Sequence, residues 1–431
     1  GPAGATAALA LASAGIAVRL LDRARFPRNK PCGGGISTRV LRRFPYLDGE
    51  LTRIATHRVS RLYLEGPDGR SAVITAGTPA ALMIRRVEFD ALLVSLAVAA
   101  GAELVTGAEV VQASEVEAGV SLTTRDGKRV TAPIVIAADG VNSVVARRLG
   151  LNRGWPASRV ALDMMEEASR EVLRDVDPQT LWVSYGYQPQ AAITRGVDPA
   201  SDGGSRISAA RCPSPAEGYA YIFPKRDHVN IGVGYVLSHF REAVRQPPYD
   251  VQRGLVERLR DRGLVVGHSA RGNFTPALIP VGGPLRMPGR GRVLLAGDAG
   301  GFVNAVTAEG IYYAMVSGEL AAHAVRSASS VGELSVRYRR ACDYEIGAEL
   351  RDSVRIQRYL FGDSRRIGQL IDGANREQRI VGLMLDFVAG SRSYRDLRRR
   401  ILSRSPHLLL SFLCDCLTTK APGASPGITG I

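Results

Sequence analysis

G-P-A-G-A-T-A-A-L-A-L-A-S-A-G opens the chain at residues 1–15, and V-R-L-L-D follows at residues 18–22. The first string is typical of a glycine turn that runs directly into an alanine-rich helix, and the second of a short apolar strand that ends in an acid. Together they indicate the second half of a βαβ unit that binds a dinucleotide. The first strand and first glycine of that unit do not precede Gly1, so we expect a parallel sheet without its central strand.

A helix that begins at such a turn offers its first backbone N–H groups and the positive end of its dipole to a phosphate. Gly1 and Gly4 would be the second and third glycines of G-x-G-x-x-G, which allow a pyrophosphate to approach closely. Asp22 lies at the spacing expected of the acid that accepts hydrogen bonds from ribose hydroxyls. A glycine turn that serves only tight packing would look the same, so this half-motif alone leaves both interpretations open.

Two later strings follow the same plan of a strand that ends in an acid and a glycine. R-V-L-L-A-G-D-A-G-G-F-V-N-A-V-T-A-E-G, residues 292–310, predicts a strand that delivers Asp298 to a glycine-rich turn. I-V-I-A-A-D-G, residues 134–140, predicts an apolar strand that ends at Asp139. A carboxylate at such a turn can hold the ribityl hydroxyls of a flavin, although a structural aspartate in a loop remains the alternative. Three partial motifs in one order favour the cofactor interpretation over any single one.

These strings resemble the fingerprints of a known flavoprotein superfamily. Residues 292–310 closely resemble the second FAD fingerprint of the flavoprotein hydroxylase and geranylgeranyl reductase families, and A-D-G-V-N-S-V-V-A-R-R-L-G at 138–150 resembles their D-G motif. N-K-P-C-G-G-G-I-S at 29–37 resembles the segment of geranylgeranyl reductases that lies over the flavin. E-G-Y-A-Y-I-F-P-K at 217–225 resembles their substrate-cavity signature P-x-x-Y-x-W-x-F-P. The resemblance runs from residue 1 to about residue 330.

The resemblance implies a noncovalently bound FAD and a substrate cavity, and it assigns residues to both. The residues implied in cofactor binding are Gly1, Gly4, Asp22, Cys32, Gly33, Arg86, Asp139, Gly140, Gly297, Asp298 and Gly310. Those implied in substrate binding are Tyr219, Tyr221, Phe223 and Pro224. Cys32 is also a tentative catalytic residue. Tyr221 stands in place of the tryptophan of the signature, and Pro215 is one residue early for its leading proline.

Three of these assignments have competing interpretations in the sequence itself. Cys32 also fits a small buried residue at a tight turn. Arg86, in R-R-V-E-F-D-A-L-L, also fits a surface salt bridge. Aromatic residues at alternate positions, as at Tyr219, Tyr221 and Phe223, are also typical of the core-facing side of a strand.

The predicted fold class is α/β. It combines a Rossmann-like FAD-binding domain of the glutathione reductase and p-hydroxybenzoate hydroxylase type, first strand missing, with an inserted, mostly antiparallel β substrate domain and C-terminal helices. The FAD-binding domain is assigned to residues 1–56, 85–157 and 271–330, and the substrate domain to residues 57–84 and 158–270. The rest is assigned to a helical region at 331–420 and a disordered tail at 421–431.

Composition and charge limit the classes of partner that this protein is expected to bind. A formal charge of +15 favours acidic surfaces, but the basic residues are scattered and accompany no nucleic-acid motif, so no nucleic-acid partner is expected. No apolar stretch approaches the roughly 20 residues that cross a bilayer. We therefore expect a cytoplasmic protein with at most peripheral contact to the anionic inner face of a membrane. The cysteines are odd in number and lack C-x-x-C spacing, so no metal site is expected; they are Cys32, Cys212, Cys342, Cys414 and Cys416.

A geranylgeranyl reductase saturates carbon–carbon double bonds of a polyprenyl chain, and the resemblance implies this activity here. The sequence contains no catalytic triad or metal constellation, and its proposed cavity shows aromatics without an obvious polar anchor. No second nicotinamide motif is present, so the electron donor could be NADPH or NADH, a ferredoxin or a quinol. The alternative is an FAD-dependent monooxygenase of the aromatic hydroxylase type on the same fold. A non-catalytic or tRNA-associated flavoprotein is favoured only by the charge.

Overall fold

A computed structural model describes residues 1–189 and 217–376 of the chain. The strands are β1 Arg19–Asp22, β2 Gly35–Ser37, β3 Thr56–Val59, β4 Arg61–Glu65, β5 Ser71–Thr75, β6 Ala81–Ile84, β7 Glu103–Thr106, β8 Val110–Val116, β9 Gly119–Thr124, β10 Arg129–Ala132, β11 Val135–Ala137, β12 Val160–Ser169, β13 Thr180–Tyr185, β14 Tyr219–Pro224, β15 His228–Val236, β16 Phe274–Pro280, β17 Gly289–Arg290 and β18 Val293–Leu295. The α-helices are α1 Pro2–Ala12, α2 Arg39–Arg43, α3 Tyr46–Glu50, α4 Arg86–Ala99, α5 Val144–Arg148, α6 Leu237–His239, α7 Pro248–Asp261, α8 Ile311–Ser327, α9 Val331–Cys342, α10 Ala348–Phe361 and α11 Ser364–Arg376.

The part of the molecule that we call the cofactor side contains two parallel strand pairs and the helices α1, α4 and α8. β1 pairs in parallel with β7, and β11 pairs in parallel with β18. α1 crosses α8 closely at Gly318. A Cβ at this position would collide with the carbonyl oxygen of Ala3, so the crossing requires glycine. α1 is rich in alanine, and its small side chains allow this close contact on one side and contact with α4 on the other. The predicted α/β fold with a glycine turn at the start of α1 is confirmed.

The other large unit is a seven-stranded sheet in the order β16-β12-β15-β14-β13-β4-β5. Its strands are antiparallel except where β13 runs parallel to β4. β16 was expected on the cofactor side, within residues 271–330, but it pairs with β12 from Val160 opposite Pro280 to Glu166 opposite Phe274. β3 and β6 were expected in the substrate domain, but they form a separate three-stranded sheet with β2. Pairing between distant segments decides both positions, and local sequence does not encode it.

The two faces of the seven-stranded sheet differ. On one face Met164, Ile222 and Ile231 pack against α7 in a buried hydrophobic cluster. On the opposite face, which we call the site face, alternate residues of β12 and β14 point towards the cofactor side. They are Asp163, Met165, Glu167, Tyr219, Tyr221 and Phe223.

Helices of the C-terminal region cover part of the site face. Phe361 of α10 and Ile371 of α11 pack with Leu64 of β4, Ile74 of β5 and Val183 of β13. Of the residues expected in this region, 377–420 lie outside the described part, as do the tail 421–431, Pro215, Cys212, Cys414 and Cys416. Within the described ranges, no helix is long and apolar enough to cross a membrane. Those ranges also hold no cluster of three or more His, Cys, Asp or Glu that could bind a metal ion.

Candidate functional site

The first turn of α1 has no side-chain cap from the described residues, and Gly1 precedes this helix. A Cβ on Gly4 would lie 3.4 Å from Ala138 Cβ and 3.4 Å from Leu20 Cδ1, so the first turn lies directly against the ends of β1 and β11. The first N–H groups of the helix therefore lack side-chain partners, as a phosphate site requires.

A buried ion-pair cluster lies beside Gly1. Arg86 donates two hydrogen bonds, of 2.7 and 2.8 Å, to Asp90, and Arg28 lies 3.0 Å from the same carboxylate and 3.8 Å from Asp22. Burial raises the pKa of Asp90, but the charge and hydrogen bonds of Arg86 outweigh it and hold that pKa below its usual value. Arg86 is only 10% exposed and Asp90 is fully buried, so the interpretation of Arg86 as a surface salt bridge is wrong.

The second glycine turn presents a carboxylate whose oxygens are available. Asp298 lies in the short turn Gly297–Gly300, directly after β18, and no described side chain or N–H group hydrogen-bonds to its carboxylate. Burial raises the pKa of Asp298, and the charges of Lys30 and Arg86 oppose that shift. A Cβ on Gly310 would lie 3.4 Å from Asp298 Oδ1, so a small residue stands beside the carboxylate. Hydroxyl donors of a ribityl chain fit this arrangement.

Asp139 has a structural contact of its own. Its Oδ2 accepts hydrogen bonds from the backbone N–H groups of Val144, at 2.8 Å, and Val145, at 3.2 Å, at the start of α5. Gly140 takes a φ of +82°, which suits glycine in the turn between β11 and α5. The predicted contact of these two residues with FAD stays a prediction.

The carboxylates of Asp22 and Asp298 lie at the carboxyl ends of the parallel strands β1 and β18, where α/β sheets bind their ligands, and the first turn of α1 lies against Ala138, just after β11. The set offers N–H donors for a pyrophosphate and two carboxylates for hydroxyl groups. The residues present therefore fit FAD.

The loop that carries Cys32 rests on β14. The N–H of Gly34 donates a hydrogen bond to Cys32 Sγ at 3.4 Å. A Cβ on Gly33 would lie 2.7 Å from Phe223 Cδ2 and 3.8 Å from Tyr221 Cε2, so glycine lets the loop approach both rings. Cys32 is half-buried, and its two interpretations stay open. A small cavity beside it is lined by Asn29, Lys30, Pro31, Cys32, Arg85, Arg86, Val87, Met165, Glu167, Lys225, Asn273 and Thr275.

The aromatic residues predicted to bind substrate form a connected row. The ring centroids of Tyr221 and Phe223 are 4.5 Å apart, and those of Tyr219 and Tyr221 are 6.1 Å apart. Tyr185 continues the row from Tyr219, at 6.1 Å, to Phe361 of α10, at 5.7 Å. Pro224 ends β14 and is buried. The structure thus brings the Cys32 loop and the aromatic stripe together.

A buried carboxyl group adjoins this row. The hydroxyl of Tyr221 lies 3.1 and 3.2 Å from the two carboxylate oxygens of Asp163 on β12. Both side chains are buried, and burial raises the pKa of Asp163 to about 7, while the hydrogen bond from Tyr221 and the charge of Lys30 oppose the shift. Burial therefore favours the protonated form of Asp163.

A second acid on the same strand is neutralised by cations. Glu167 accepts a 3.0 Å hydrogen bond from Nζ of Lys225 and hydrogen bonds of 2.9 and 2.5 Å from Arg85. Burial raises the pKa of Glu167, but the two cations outweigh it and the pKa lies below its usual value. Lys225 is 2% exposed, and burial lowers its pKa against the pull of Glu167.

The expectation of a cavity without polar anchors is therefore wrong. Asp163 and Glu167 were not predicted because they lie on another strand, and Lys225, the last residue of the quoted string 217–225, was not assigned a role. A signal was present in V-A-L-D-M-M-E-E-A-S at residues 160–169, where the acids Asp163 and Glu167 stand an even number of residues apart and so share one face of a strand. Which face they share depends on the pairing of β12 with β15, which the sequence does not give.

Comparison with known proteins places these features in context. The family model for an FAD binding domain matches residues 1–215. The chain is 31% identical over 338 residues to a menaquinone reductase of Mycobacterium tuberculosis, covering 76% of this chain and 75% of that protein. It is 32% identical over 329 residues to a geranylgeranyl diphosphate reductase of Rhodobacter capsulatus, covering 75% and 72%. The fold matches a geranylgeranyl bacteriochlorophyll reductase-like protein of Thermoplasma acidophilum with a TM-score of 0.71 at 18% identity, covering 94% of this chain and 96% of that one.

Proposed function

The chain belongs to the geranylgeranyl reductase family of FAD-dependent oxidoreductases, and from this premise we propose that it saturates carbon–carbon double bonds of a polyprenyl chain. One observation carries the proposal. The aromatic row from Phe223 to Phe361 lies directly against the Cys32 loop, so an apolar chain lying along the row would present its double bonds next to the cofactor side.

The side chains of this site suit a reaction in which the protein binds, orients and excludes water. When bound and reduced, FAD supplies a hydride for one alkene carbon. The start of α1, Asp22 and Asp298 would hold FAD noncovalently, and Gly33 allows the loop to close on Phe223. Tyr185, Tyr219 and Phe223 would hold the prenyl chain by apolar contact.

Anaerobic turnover tests the function. Holoenzyme is given a geranylgeranyl lipid and a low-potential chemical donor under strict anoxia, and the lipid is analysed by mass spectrometry. We expect mass gains of one H₂ per double bond. An aromatic compound that gains an oxygen atom in air, with no prenyl reduction under anoxia, would instead establish the monooxygenase.

A cofactor titration tests the proposed FAD site separately from turnover. Asp298→Ala removes an acceptor of charge-assisted hydrogen bonds and should weaken FAD binding about 10- to 100-fold, from a loss of about 1.5 to 3 kcal/mol. Cys32→Ala is the control and should bind FAD nearly as the parent does. Acid precipitation should release the yellow colour from the parent. Equal FAD affinity in Asp298→Ala and the parent would remove Asp298 from the site.

A further inference from the structure

Asp163 and Glu167, the two acids of the site face, differ in how their charge is neutralised. Glu167 has two cations within hydrogen-bonding distance. Asp163 has no ion pair among the described residues, and its hydrogen-bond partner there is the hydroxyl of Tyr221. A buried carboxyl group without a cation is neutralised by a proton instead.

The backbone of β15 makes room for this pair. β15 lies between β12 and β14, and Gly232 stands opposite Tyr221 in the ladder. A Cβ on Gly232 would lie 2.5 Å from the Tyr221 hydroxyl oxygen, so a side chain there would block the path from Tyr221 to Asp163. The glycine lets the tyrosine reach across a whole strand.

The groups that face Asp163 come from three directions. From β14 they are Tyr221 and Tyr219, and from the loop before β2 the nearest charge is Lys30. On its own sheet its neighbours in the ladder are Gly234 of β15 and Ala277 of β16, which carry no charge. Lys30 also acts electrostatically on Asp298, so its charge influences both buried carboxyl groups.

Tyr221 connects the acid to the place where the substrate would lie. Its ring packs against Phe223, lies next to the backbone of Gly33, and its hydroxyl interacts electrostatically with Cys32. The ring of Tyr221 is therefore part of the aromatic row, and its hydroxyl hydrogen-bonds to the buried carboxyl group of Asp163.

We propose that Asp163 supplies, through the hydroxyl of Tyr221, the proton that completes saturation of the alkene. The inference rests on the proposed function. In the proposed step the ring of Tyr221 lies against the substrate, its hydroxyl carries the proton, and Asp163 acts through that hydroxyl as a proton-supplying residue.

When bound and reduced, FAD would supply a hydride, with its electron pair, to one carbon of the double bond. The π electrons would then form a C–H bond at the other carbon with the proton of the Tyr221 hydroxyl. The phenolate takes the Asp163 proton, and the Asp163 carboxylate regains one from solvent. The alkene gains H₂ in total, and the flavin is oxidised by two electrons.

An infrared titration of the holoenzyme tests the acid without any turnover. We expect a carboxylic acid C=O band that disappears as the pH rises through about 7, and its absence from Asp163→Asn. Glu166→Gln, on the opposite face of the same strand, is the matched control and should keep the band. Identical spectra in parent and Asp163→Asn would overturn the proposal.

Turnover under anoxia tests the proton step. At pH 6.5 we expect kcat of Asp163→Asn and Tyr221→Phe to fall on the order of 100-fold, with KM and FAD content near the parent values and Glu166→Gln unchanged. In the parent, kcat should fall as the pH rises through about 7, because the donor must be protonated. Asp163→Asn should lose that dependence.

The two ideas fail in different ways. If the parent reduces no prenyl alkene, the proposed function is wrong and the proton relay falls with it. If the parent is active and Asp163→Asn matches it at every pH, the relay alone is overturned. A large loss in Cys32→Ala with none in Asp163→Asn would assign the proton to Cys32 and equally overturn the relay.

Discussion

The site face of the seven-stranded sheet has a polar half and an aromatic half, and they are stabilised in different ways. The polar half contains Asp163, Glu167 and Lys225, together with Arg85. The aromatic half is the row Tyr185, Tyr219, Phe223 and Phe361. In the polar half each buried group depends on one or two named partners, whereas in the aromatic half the stabilisation is spread over contact area. Replacing a carboxylate by its amide should therefore change stability in opposite directions at Glu167 and Asp163. Substitutions in the aromatic half should have effects that follow the contact area lost.

The largest expected loss of stability is at Glu167. Glu167→Gln leaves Lys225, which is 2% exposed, without its counter-charge and takes from Arg85 its partner on β12. We expect a loss of about 3 kcal/mol in the free energy of unfolding at pH 7, towards the lower end for a broken buried pair because Glu167 is 28% exposed. Chemical denaturation measures it. A loss below about 1 kcal/mol would mean that the pair behaves as a surface salt bridge.

The same change at Asp163 should have the opposite sign above neutral pH. The pKa is about 7 in the folded protein and 3.8 for the ordinary group, so the folded state keeps a proton that the unfolded chain releases between these values. Parent stability attributable to this group therefore declines as the pH rises through that window, by about 1.4 kcal/mol per pKa unit. Asp163→Asn removes the decline.

Denaturation at two pH values checks this expectation. Asp163→Asn should be close to the parent in stability near pH 4 and exceed it at pH 8 by about 4 kcal/mol. A variant less stable than the parent at pH 8 would show that the Asp163 carboxylate has a cationic partner. Asp163 would then not differ from Glu167 in how its charge is neutralised.

In the aromatic half, Phe223→Ala should raise the KM for a polyprenyl substrate about 5- to 150-fold, from a loss of about 1 to 3 kcal/mol of apolar contact. Ile222→Val, on the opposite face of the same strand, is the control and should cost about 1 kcal/mol of stability without changing KM. Steady-state kinetics at matched FAD content separates them. An unchanged KM in Phe223→Ala would remove the aromatic half from the substrate site.

The smallest effect concerns the border between the halves. Gly232→Ala should displace the Tyr221 hydroxyl and crowd the carbonyl oxygen of Met164, at a cost of about 1 to 2 kcal/mol for the lost hydrogen bond and the overpacking. Gly234→Ala is the matched control, because a Cβ there meets its nearest atoms at 3.7 Å, and it should be neutral or stabilising by a few tenths of a kcal/mol. Thermal unfolding of the two variants compares them. Equal melting temperatures would mean that Tyr221 moves freely.

The sequence predicted features that short segments specify by themselves. The glycine turn at Gly1, the strand before Asp298 and the alternation of aromatics in β14 each need fewer than about ten consecutive residues, and the α/β fold followed from their order. The bonds Tyr221–Asp163 and Lys225–Glu167 each join residues 58 positions apart. Both depend on strand pairing, and the first also depends on Gly232 in the strand between, so no local pattern revealed them.

The tyrosine that links the sheet to the second glycine motif limits how this enzyme can be redesigned. Tyr219 donates a 3.2 Å hydrogen bond to the carbonyl of Thr307, three residues before Gly310, and Phe223 supports Gly33. An engineer who reshapes the pocket at Tyr219 or Phe223 would alter cofactor retention and substrate choice together. Tyr185 lies in β13 and contacts Phe361 of α10. Substitution libraries that aim to change the accepted length of the substrate chain should therefore begin at Tyr185.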